Sequence, residues 1–266
     1  MRRVPTCAPG FLALALLVCA CAAPAGLPRG RWVDLTHGFG PDTIYWPTSG
    51  DFELTVLSAE RTPAGYWYAA NRFCTAEHGG THVDAPIHFA AGRLTVDRLP
   101  LDRLSGPACV VDVAAACAAN RDDRVTAGDL QAWEARHGCL PAGAIVLLRT
   151  GFGHLWPDRA LYLGTARRGA EGVAELRFPG LHPDAARWLV RERDIAAIGI
   201  DTASIDFGRS TLYESHVILN EADIPVFENV AALDELPERG AWVIALPMKI
   251  EGGSGGPVRI AALVPD

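Results

Sequence analysis

The sequence contains almost no lysine and no block of basic residues. Lys249 is the only lysine among 266 residues, and the formal net charge is −7 at pH 7. Proteins that bind nucleic acid need clustered positive charge, so we expect no nucleic-acid partner. The chain also has no Cys-x-x-Cys pair, which argues against a thiolate metal site. We also expect no nucleophile elbow, the strand-to-helix turn that presents a catalytic serine.

Long apolar runs are absent except at the N-terminus. Two arginines precede an apolar run at residues 11–20, which is too short to span a bilayer, and small residues follow it. This order is typical of a secretory signal peptide, which we place at residues 1–25, and it predicts a secreted or periplasmic protein. Val18-Cys19-Ala20-Cys21 also resembles a lipoprotein cleavage site, so a lipid anchor on Cys21 is the alternative. No other window predicts a membrane span.

Four of the seven cysteines remain if cleavage follows Cys21, namely Cys74, Cys109, Cys117 and Cys139. Four cysteines allow three sets of disulfide pairs, and the sequence does not choose among them. Export permits disulfide formation, but buried free thiols fit the sequence equally well.

The remainder of the chain has the composition of a globular protein with a substantial core. Hydrophobic residues make up 49% and charged residues 21% of the sequence. A Thr126–Asp129 capping box predicts a helix over residues 129–137, and His182-Pro183-Asp184 predicts a second helix to about residue 193. Apolar runs predict buried strands at residues 109–113, 144–148, 196–200 and 242–246, and a last strand near residues 258–264. This alternation predicts a single α/β domain over residues 30–266, with a glycine-rich flexible loop at 252–257 before the last strand.

The most informative segment is His78-Gly-Gly-Thr-His82-Val-Asp84-Ala-Pro-Ile-His88. It places three of the eight histidines and a carboxylate within eleven residues. Neutral imidazole and carboxylate are the ligands that zinc or manganese takes in proteins. On a strand, His82 and Asp84 project to the same side because the side-chain period is two. We therefore predict a metal site at His78, His82 and Asp84, entered through a turn at the glycines.

His88 lies just beyond these ligands and is either a further ligand or a general base. Imidazole is available in its neutral form near pH 7, which suits proton transfer. Downstream, His216 and Glu228 are twelve residues apart, a spacing with little weight alone. They become candidate ligands because a site with two metal ions needs more ligands than the first segment supplies.

The pattern His-x-Gly-Thr-His-x-Asp-Ala-Pro-x-His resembles the cyclase family, which includes bacterial kynurenine formamidase and isatin hydrolase. The resemblance extends over residues 32–264 through Trp46-Pro47, Gly199-Ile-Asp-Thr, the His216–Glu228 spacing and the glycine-rich loop. It implies a central mixed or barrel-like β-sheet flanked by helices, and a homodimer or larger oligomer.

The resemblance also implies roles for individual residues. His78, His82 and Asp84 would hold one zinc or manganese ion, and Asp84 with His216 and Glu228 would complete a second site. His88 would transfer protons, and Trp46 would pack against an aromatic substrate. One departure is Thr48-Ser49, which is inserted between Trp46-Pro47 and Gly50-Asp51 and alters the loop that faces the substrate.

The implied activity is hydrolysis of a small amide, an aryl formamide or a lactam by metal-activated water. A lactone or ester hydrolase with the same fold is one alternative, because the same chemistry opens either bond. A secreted metal-binding protein without catalysis is the other, although a pure metal binder has no need of a base such as His88.

Overall fold

The computed structural model describes residues 29–266, so the predicted signal peptide and Cys21 lie outside the described residues. The strands are β1 (Gly30–Asp34), β2 (Glu53–Arg61), β3 (Trp67–Cys74), β4 (His82–Asp84), β5 (Ser105–Asp112), β6 (Arg124–Val125), β7 (Ala144–Arg149), β8 (Gly180–Leu181), β9 (Ile195–Ile200), β10 (Val226–Glu228), β11 (Arg239–Pro247) and β12 (Gly255–Pro265). The α-helices are α1 (Ala114–Ala119), α2 (Ala127–His137), α3 (Arg159–Leu163), α4 (Gly169–Ala174), α5 (Pro183–Glu192) and α6 (Glu214–Glu221).

Seven strands close into a mixed β-barrel. Their order around the barrel is β12-β11-β5-β7-β9-β10-β4, and the pairing of β4 with β12 closes the ring. Strands β5, β7, β9 and β10 run parallel to one another, whereas β11, β12 and β4 join the ring through antiparallel pairings. Strand β1 lies outside this ring and pairs antiparallel with the C-terminal part of β12. The expected single α/β domain with a barrel-like sheet is confirmed.

Successive residues of the central strands face two separate cores. Val110, Ile145 and Leu147 point into the barrel, where they join one buried apolar cluster. Val111 and Val146 point outward and pack beneath helices α2 and α5 in a second cluster. This alternation follows from the two-residue period of a strand, and burial on both faces explains why these strands read as continuous apolar runs.

The predicted strands and both predicted helices are present, but β11 is buried on one face only, because Trp242 and Leu246 on its other face are exposed. The strands correspond to β5, β7, β9, β11 and β12, most of which extend further than predicted. Helix α2 begins at its capping box, in which Thr126 Oγ1 accepts from Asp129 N at 3.3 Å and Asp129 Oδ2 accepts from Thr126 N at 2.7 Å. Helix α5 begins after His182, with Pro183 in its first turn.

The predicted flexible loop at residues 252–257 is partly wrong. Gly255–Pro257 begin β12 and pair with Asp84, Val83 and His82 of β4. A Cβ atom on Gly255 would lie 2.4 Å from the carbonyl oxygen of Val83, so only glycine permits this approach. The glycines here allow close backbone pairing as well as turning.

Two further features bear on function. Strands β2 and β3 form an antiparallel hairpin that pairs with no other described strand. All four described cysteines are free thiols; Cys109 and Cys117 are buried, whereas Cys74 and Cys139 are exposed. Within residues 29–266, no helix has both the length and the apolarity needed to cross a membrane.

Candidate metal centre

The first group of predicted ligands stands at the start of the closing strand β4. His82 and Asp84 point to the same side of the strand, and both are fully buried. His78 lies in the turn that enters the strand, at the two glycines. A Cβ atom on Gly79 would lie 2.1 Å from the ring of Tyr45, so the chain reaches this position only because the residue has no side chain.

The second group comes from β10 and α6, far away in sequence. Strand β10 pairs with β4 so that Glu228 lies directly opposite His82. Helix α6 places His216 against the same carboxylates. His216 and Glu228 are both buried. The two clusters share Asp84 and can each hold a metal ion, one with His78 and His82 and the other with His216 and Glu228.

Asp84 is the centre of the arrangement. Its Oδ1 lies 2.6 Å from His78 Nδ1 and 3.2 Å from His82 Nε2, while its Oδ2 lies 3.1 Å from His216 Nε2. Glu228 faces the same two buried histidines, with Oε1 at 3.0 Å from His216 Nε2 and Oε2 at 3.5 Å from His82 Nε2. The structure therefore brings together all five predicted ligands.

The buried charges perturb one another strongly. Burial alone would raise the pKa of Asp84, but the neighbouring imidazoles more than offset it and hold that pKa well below its usual range. Burial and the Asp84 charge raise the pKa of Glu228. Burial would lower the pKa of His216, yet hydrogen bonds to Asp206, Asp84 and Glu228 place it well above its usual value. Such a buried group of carboxylates is stable only with compensating positive charge.

The orientation of the imidazoles shows that a divalent cation fits this positive role. The carbonyl oxygen of Gly80 lies 2.9 Å from His82 Nδ1 and can only accept, so Nδ1 carries the hydrogen. In the neutral ring, His82 Nε2 then presents a lone pair to two carboxylates, and it has no hydrogen-bond partner among the described residues. His216 repeats this arrangement, with Nδ1 held at 2.7 Å from Asp206 Oδ2. In each cluster, nitrogen and oxygen lone pairs converge, and such a set of ligands suits zinc or manganese.

His88 lies beside the candidate ligands and faces the cavity. It ends the short 3₁₀ helix Pro86–His88, and its ring stacks on His78 at a centroid distance of 3.8 Å. Burial, partly opposed by the Asp84 charge, lowers the pKa of His88 to about 4. The ring is therefore neutral near pH 7 and can accept a proton.

The two clusters form the floor of a cavity of about 370 Å³. Its walls are largely apolar and aromatic, with Ile44, Trp46, Phe89 and Tyr213 around the candidate ligands. The Trp46 ring is half-buried and lies 6.4 Å from both Phe178 and Tyr213. Ser49, from the inserted pair, also lines the cavity. The structure thus places Trp46 and the altered loop at the same opening.

Several residues at this site were not found from the sequence. Asp206 accepts from His216, and Tyr213 closes one wall with its backbone in the left-handed region at φ 49°. Ser254 contacts His78 from outside the cavity. Left-handed backbone at a bulky residue is rare and often marks a functional site, but it is invisible before the fold is known.

Comparison with known proteins places the chain among hydrolases. The family described as “Putative cyclase” matches residues 33–207. Isatin hydrolase of Roseibium aggregatum is 34% identical over 248 residues, which cover 88% of this chain and 91% of that protein. Kynurenine formamidase of Paracidovorax citrulli is 31% identical over 188 residues, which cover 71% of this chain and 76% of that protein. Isatin hydrolase A from Ralstonia solanacearum superposes with a TM-score of 0.78 at 35% identity, covering 88% of this chain and 92% of that one. The chain therefore belongs to the cyclase family and is one of its hydrolases.

Proposed function

We propose that this protein is a metal-dependent hydrolase that opens a small cyclic aryl amide, an isatin-like lactam. One observation carries the proposal: five imidazole and carboxylate ligands converge on the floor of a cavity with aromatic walls. The similarity to two isatin hydrolases, each over 88% of this chain, supports a lactam in particular. A cavity of about 370 Å³ suits a flat bicyclic molecule.

The proposed cofactor is zinc or manganese, as one or two ions. His78, His82 and Asp84 would hold one ion, and Asp84 with His216 and Glu228 would hold a second. When bound at this floor, such an ion would supply polarisation of a carbonyl oxygen and a lower pKa for water. The aromatic walls keep bulk water away, which strengthens electrostatic interactions inside the cavity.

His88 is the proposed proton-transfer residue. Its neutral ring faces the cavity and accepts the proton that water loses when its oxygen bonds to the amide carbon. The carbon–nitrogen bond breaks next, and His88 returns the proton to the leaving nitrogen. The net change is addition of one water molecule, which gives a carboxylic acid and an amine, and the acid then releases its proton to solvent near pH 7. General acid–base transfer of this kind contributes about 10²–10⁴-fold to rate.

Trp46 is the proposed substrate wall. Trp46 lines the cavity beside Tyr213, so an aromatic substrate bound there would contact the Trp46 ring. Offset or edge-to-face contact between aromatic rings adds about 0.5–1.5 kcal/mol beyond area burial. The inserted Thr48-Ser49 adds a hydroxyl at this wall, which supports a substrate other than formylkynurenine.

Aryl formamides and lactones remain the alternative substrates, and a metal-binding protein without catalysis is the alternative from another class. The similarity to kynurenine formamidase, which extends over 71% of this chain, favours an aryl formamide. A neutral His88 facing the cavity favours catalysis over metal storage.

A substrate panel with controlled metal content tests the proposal. The full chain, depleted of metal and then reloaded with zinc or manganese, is assayed on isatin, an aryl formamide and an aryl lactone. We expect isatin to give the highest kcat/KM, chelation to abolish turnover, and either metal to restore it. Full activity in protein that elemental analysis shows to be metal-free contradicts the proposal. Tight metal binding with no turnover of any substrate supports the storage protein.

We also propose that the protein is exported, either soluble after cleavage near residue 25 or anchored through Cys21. Intact-mass analysis of the protein from the periplasmic and membrane fractions of a Gram-negative host distinguishes the two. A full-length chain retained in the cytoplasm contradicts export.

A further inference from the structure

The glycine-rich segment before β12 holds a serine against the outer edge of His78. Ser254 Oγ lies 2.9 Å from His78 Nε2 and 2.6 Å from Glu77 Oε2. The backbone amide of Ser254 also donates to Glu77 Oε2, at 3.0 Å. Glu77, Ser254, His78 and Asp84 thus form one continuous chain of polar contacts that ends at the candidate metal centre.

The position of each hydrogen in this series of polar contacts follows from which atoms can donate and which can only accept. A serine hydroxyl has one hydrogen, and a carboxylate oxygen can only accept. The shortest contact of Ser254 Oγ is with the Glu77 carboxylate, so the hydroxyl hydrogen lies there. Ser254 Oγ can then only accept from His78, which puts the ring hydrogen on Nε2. His78 Nδ1 is left with a lone pair that faces Asp84 Oδ1 at 2.6 Å.

We propose that Glu77 and Ser254 are positioning residues that fix the tautomer of His78, so that its Nδ1 binds the divalent cation together with Asp84. This inference rests on the proposed metal-dependent function. His82 and His216 are likewise each held through one ring nitrogen. In both, this nitrogen is Nδ1, which faces the Gly80 carbonyl in His82 and Asp206 in His216. His78 is held instead at Nε2, by the Ser254 hydroxyl, which donates in turn to Glu77.

The glycines on both sides of Ser254 are shaped around this pair. A Cβ atom on Gly253 would lie 2.7 Å from Glu77 Oε1, and one on Gly255 would lie 2.5 Å from His78 Cε1. The segment therefore comes as close to both partners as a backbone without side chains permits. This close approach gives the glycine-rich segment a role beyond that of a linker.

The same contacts invite comparison with a serine hydrolase. Residues 252–256 match the letters Gly-x-Ser-x-Gly, and Ser254, His78 and Asp84 are connected in the order of a catalytic triad. Three observations argue against a nucleophile. Ser254 does not line the cavity, its hydrogen is directed to Glu77 and not to His78, and the segment leads into a strand where an elbow leads into a helix.

Cobalt binding tests the inference without any need for turnover. Metal-depleted full chain is titrated with Co²⁺ against a competing chelator, and the visible absorption of the bound ion is recorded. We expect Ser254→Ala and Glu77→Ala to weaken Co²⁺ binding by about 10–100-fold and to change the absorption spectrum. Ser254→Thr, which keeps the hydroxyl, should restore most of the affinity. Glu251→Ala removes an exposed carboxylate from the same segment and should leave affinity unchanged within about twofold.

The outcomes separate this inference from the proposed function. Wild-type protein that fails to bind Co²⁺ overturns the metal-dependent function itself. Wild-type binding with unchanged affinity and spectrum in folded Ser254→Ala and Glu77→Ala overturns only the positioning role. Covalent labelling of Ser254 by a fluorophosphonate, with loss of hydrolysis, overturns the positioning role and shows that Ser254 is a nucleophile. Circular dichroism and melting temperature establish that each variant is folded.

Discussion

At the scale of single residues, the site depends on which nitrogen of each histidine carries the hydrogen. His82 donates through Nδ1 to a backbone carbonyl and His216 donates through Nδ1 to a carboxylate, which leaves Nε2 of each for the cation. His88 differs because none of the described side chains or carbonyls is placed to fix its ring nitrogens in this way. His88 lines the cavity and can exchange a proton with a substrate there, whereas the free nitrogens of His82 and His216 face Asp84 and Glu228 at the candidate metal positions.

This difference predicts opposite outcomes for two alanine variants. His82→Ala should lose bound metal, because it removes a ligand that faces both Asp84 and Glu228. His88→Ala should keep at least one ion and yet lose hydrolysis by roughly 100-fold or more, the scale of general acid–base residues. Metal content per chain and kcat measured on the same samples check both expectations.

The control for this pair is His154→Ala, which removes an exposed histidine that does not line the metal cavity. It should change neither metal content nor kcat. If His88→Ala emptied the site, His88 would be a ligand and its assigned role would be wrong.

Trp46→Ala tests the substrate wall. The ring is half-buried at the cavity, so its loss should raise KM for aromatic substrates by roughly 2–10-fold, the equivalent of about 0.5–1.5 kcal/mol. Metal content should stay unchanged. Trp188→Ala is the matched control. Trp188 lies on helix α5, is half-buried beneath Arg193 and does not line the cavity. Unchanged aromatic-substrate kinetics in folded Trp46→Ala would reject the substrate role.

At the scale of the elements, the site exists because β4 lies between two strands from distant parts of the chain. Strand β10 brings Glu228 opposite His82, and β12 pairs with the other edge through Gly255–Pro257. Three residues of β4 therefore carry two ligands and close the barrel. The interior residue between the ligands, Val83, faces the buried core.

Two neighbouring glycines of β12 make this dependence testable. A Cβ atom on Gly255 would lie 2.4 Å from Val83 O and 2.5 Å from His78 Cε1, whereas one on Gly256 would lie 3.3 Å from the flexible end of Ile250. Gly255→Ala should therefore cost about 1–3 kcal/mol of unfolding free energy and weaken metal binding at least about 10-fold. Gly256→Ala should change stability by less than about 1 kcal/mol. Denaturant unfolding and metal titration measure both; equal effects in the two variants would contradict the close approach.

The part of the site that is local in sequence could be predicted from the sequence. His82 and Asp84 share a face because a strand has a period of two, and the turn at Gly79-Gly80 places His78 beside them. His216 and Glu228 carried weight only because a site with two metal ions needs more ligands than the first segment supplies, and because the family resemblance includes this pair. The twelve-residue spacing itself has no geometric meaning before α6 and β10 are placed. Ser254 could not be found, because a glycine-rich run reads as a flexible loop until the pairing of β12 with β4 is known.

At the scale of the whole molecule, the barrel is complete but the hairpin of β2 and β3 is not covered. Its strands pair with each other along their length and with no other described strand. Large side chains on it are about half exposed or more, namely Leu54, Val56, Leu57, Tyr66, Trp67, Tyr68 and Phe73. Apolar surface on this scale is typical of a protein–protein interface, and most soluble oligomers are symmetric homodimers. We therefore propose that the hairpin packs against a second copy of the chain.

Sedimentation of two matched variants tests this assembly. The wild-type chain should sediment as a homodimer, because covering the hairpin in both copies can bury the ~1,000 Å² or more that a specific interface requires. Trp67→Glu places a charge on that surface, beside the hairpin turn. It should shift the equilibrium to the monomer, at least about 10-fold in dissociation constant, since burying an unpaired charge costs several kcal/mol. Leu161→Glu adds the same charge at an exposed leucine on α3, outside the hairpin, and should leave the dimer intact. Both variants should retain their metal, because neither residue touches the centre. Interfaces of standard size have dissociation constants from micromolar to picomolar. A wild-type chain that is monomeric at ~50 µM would therefore contradict this assembly.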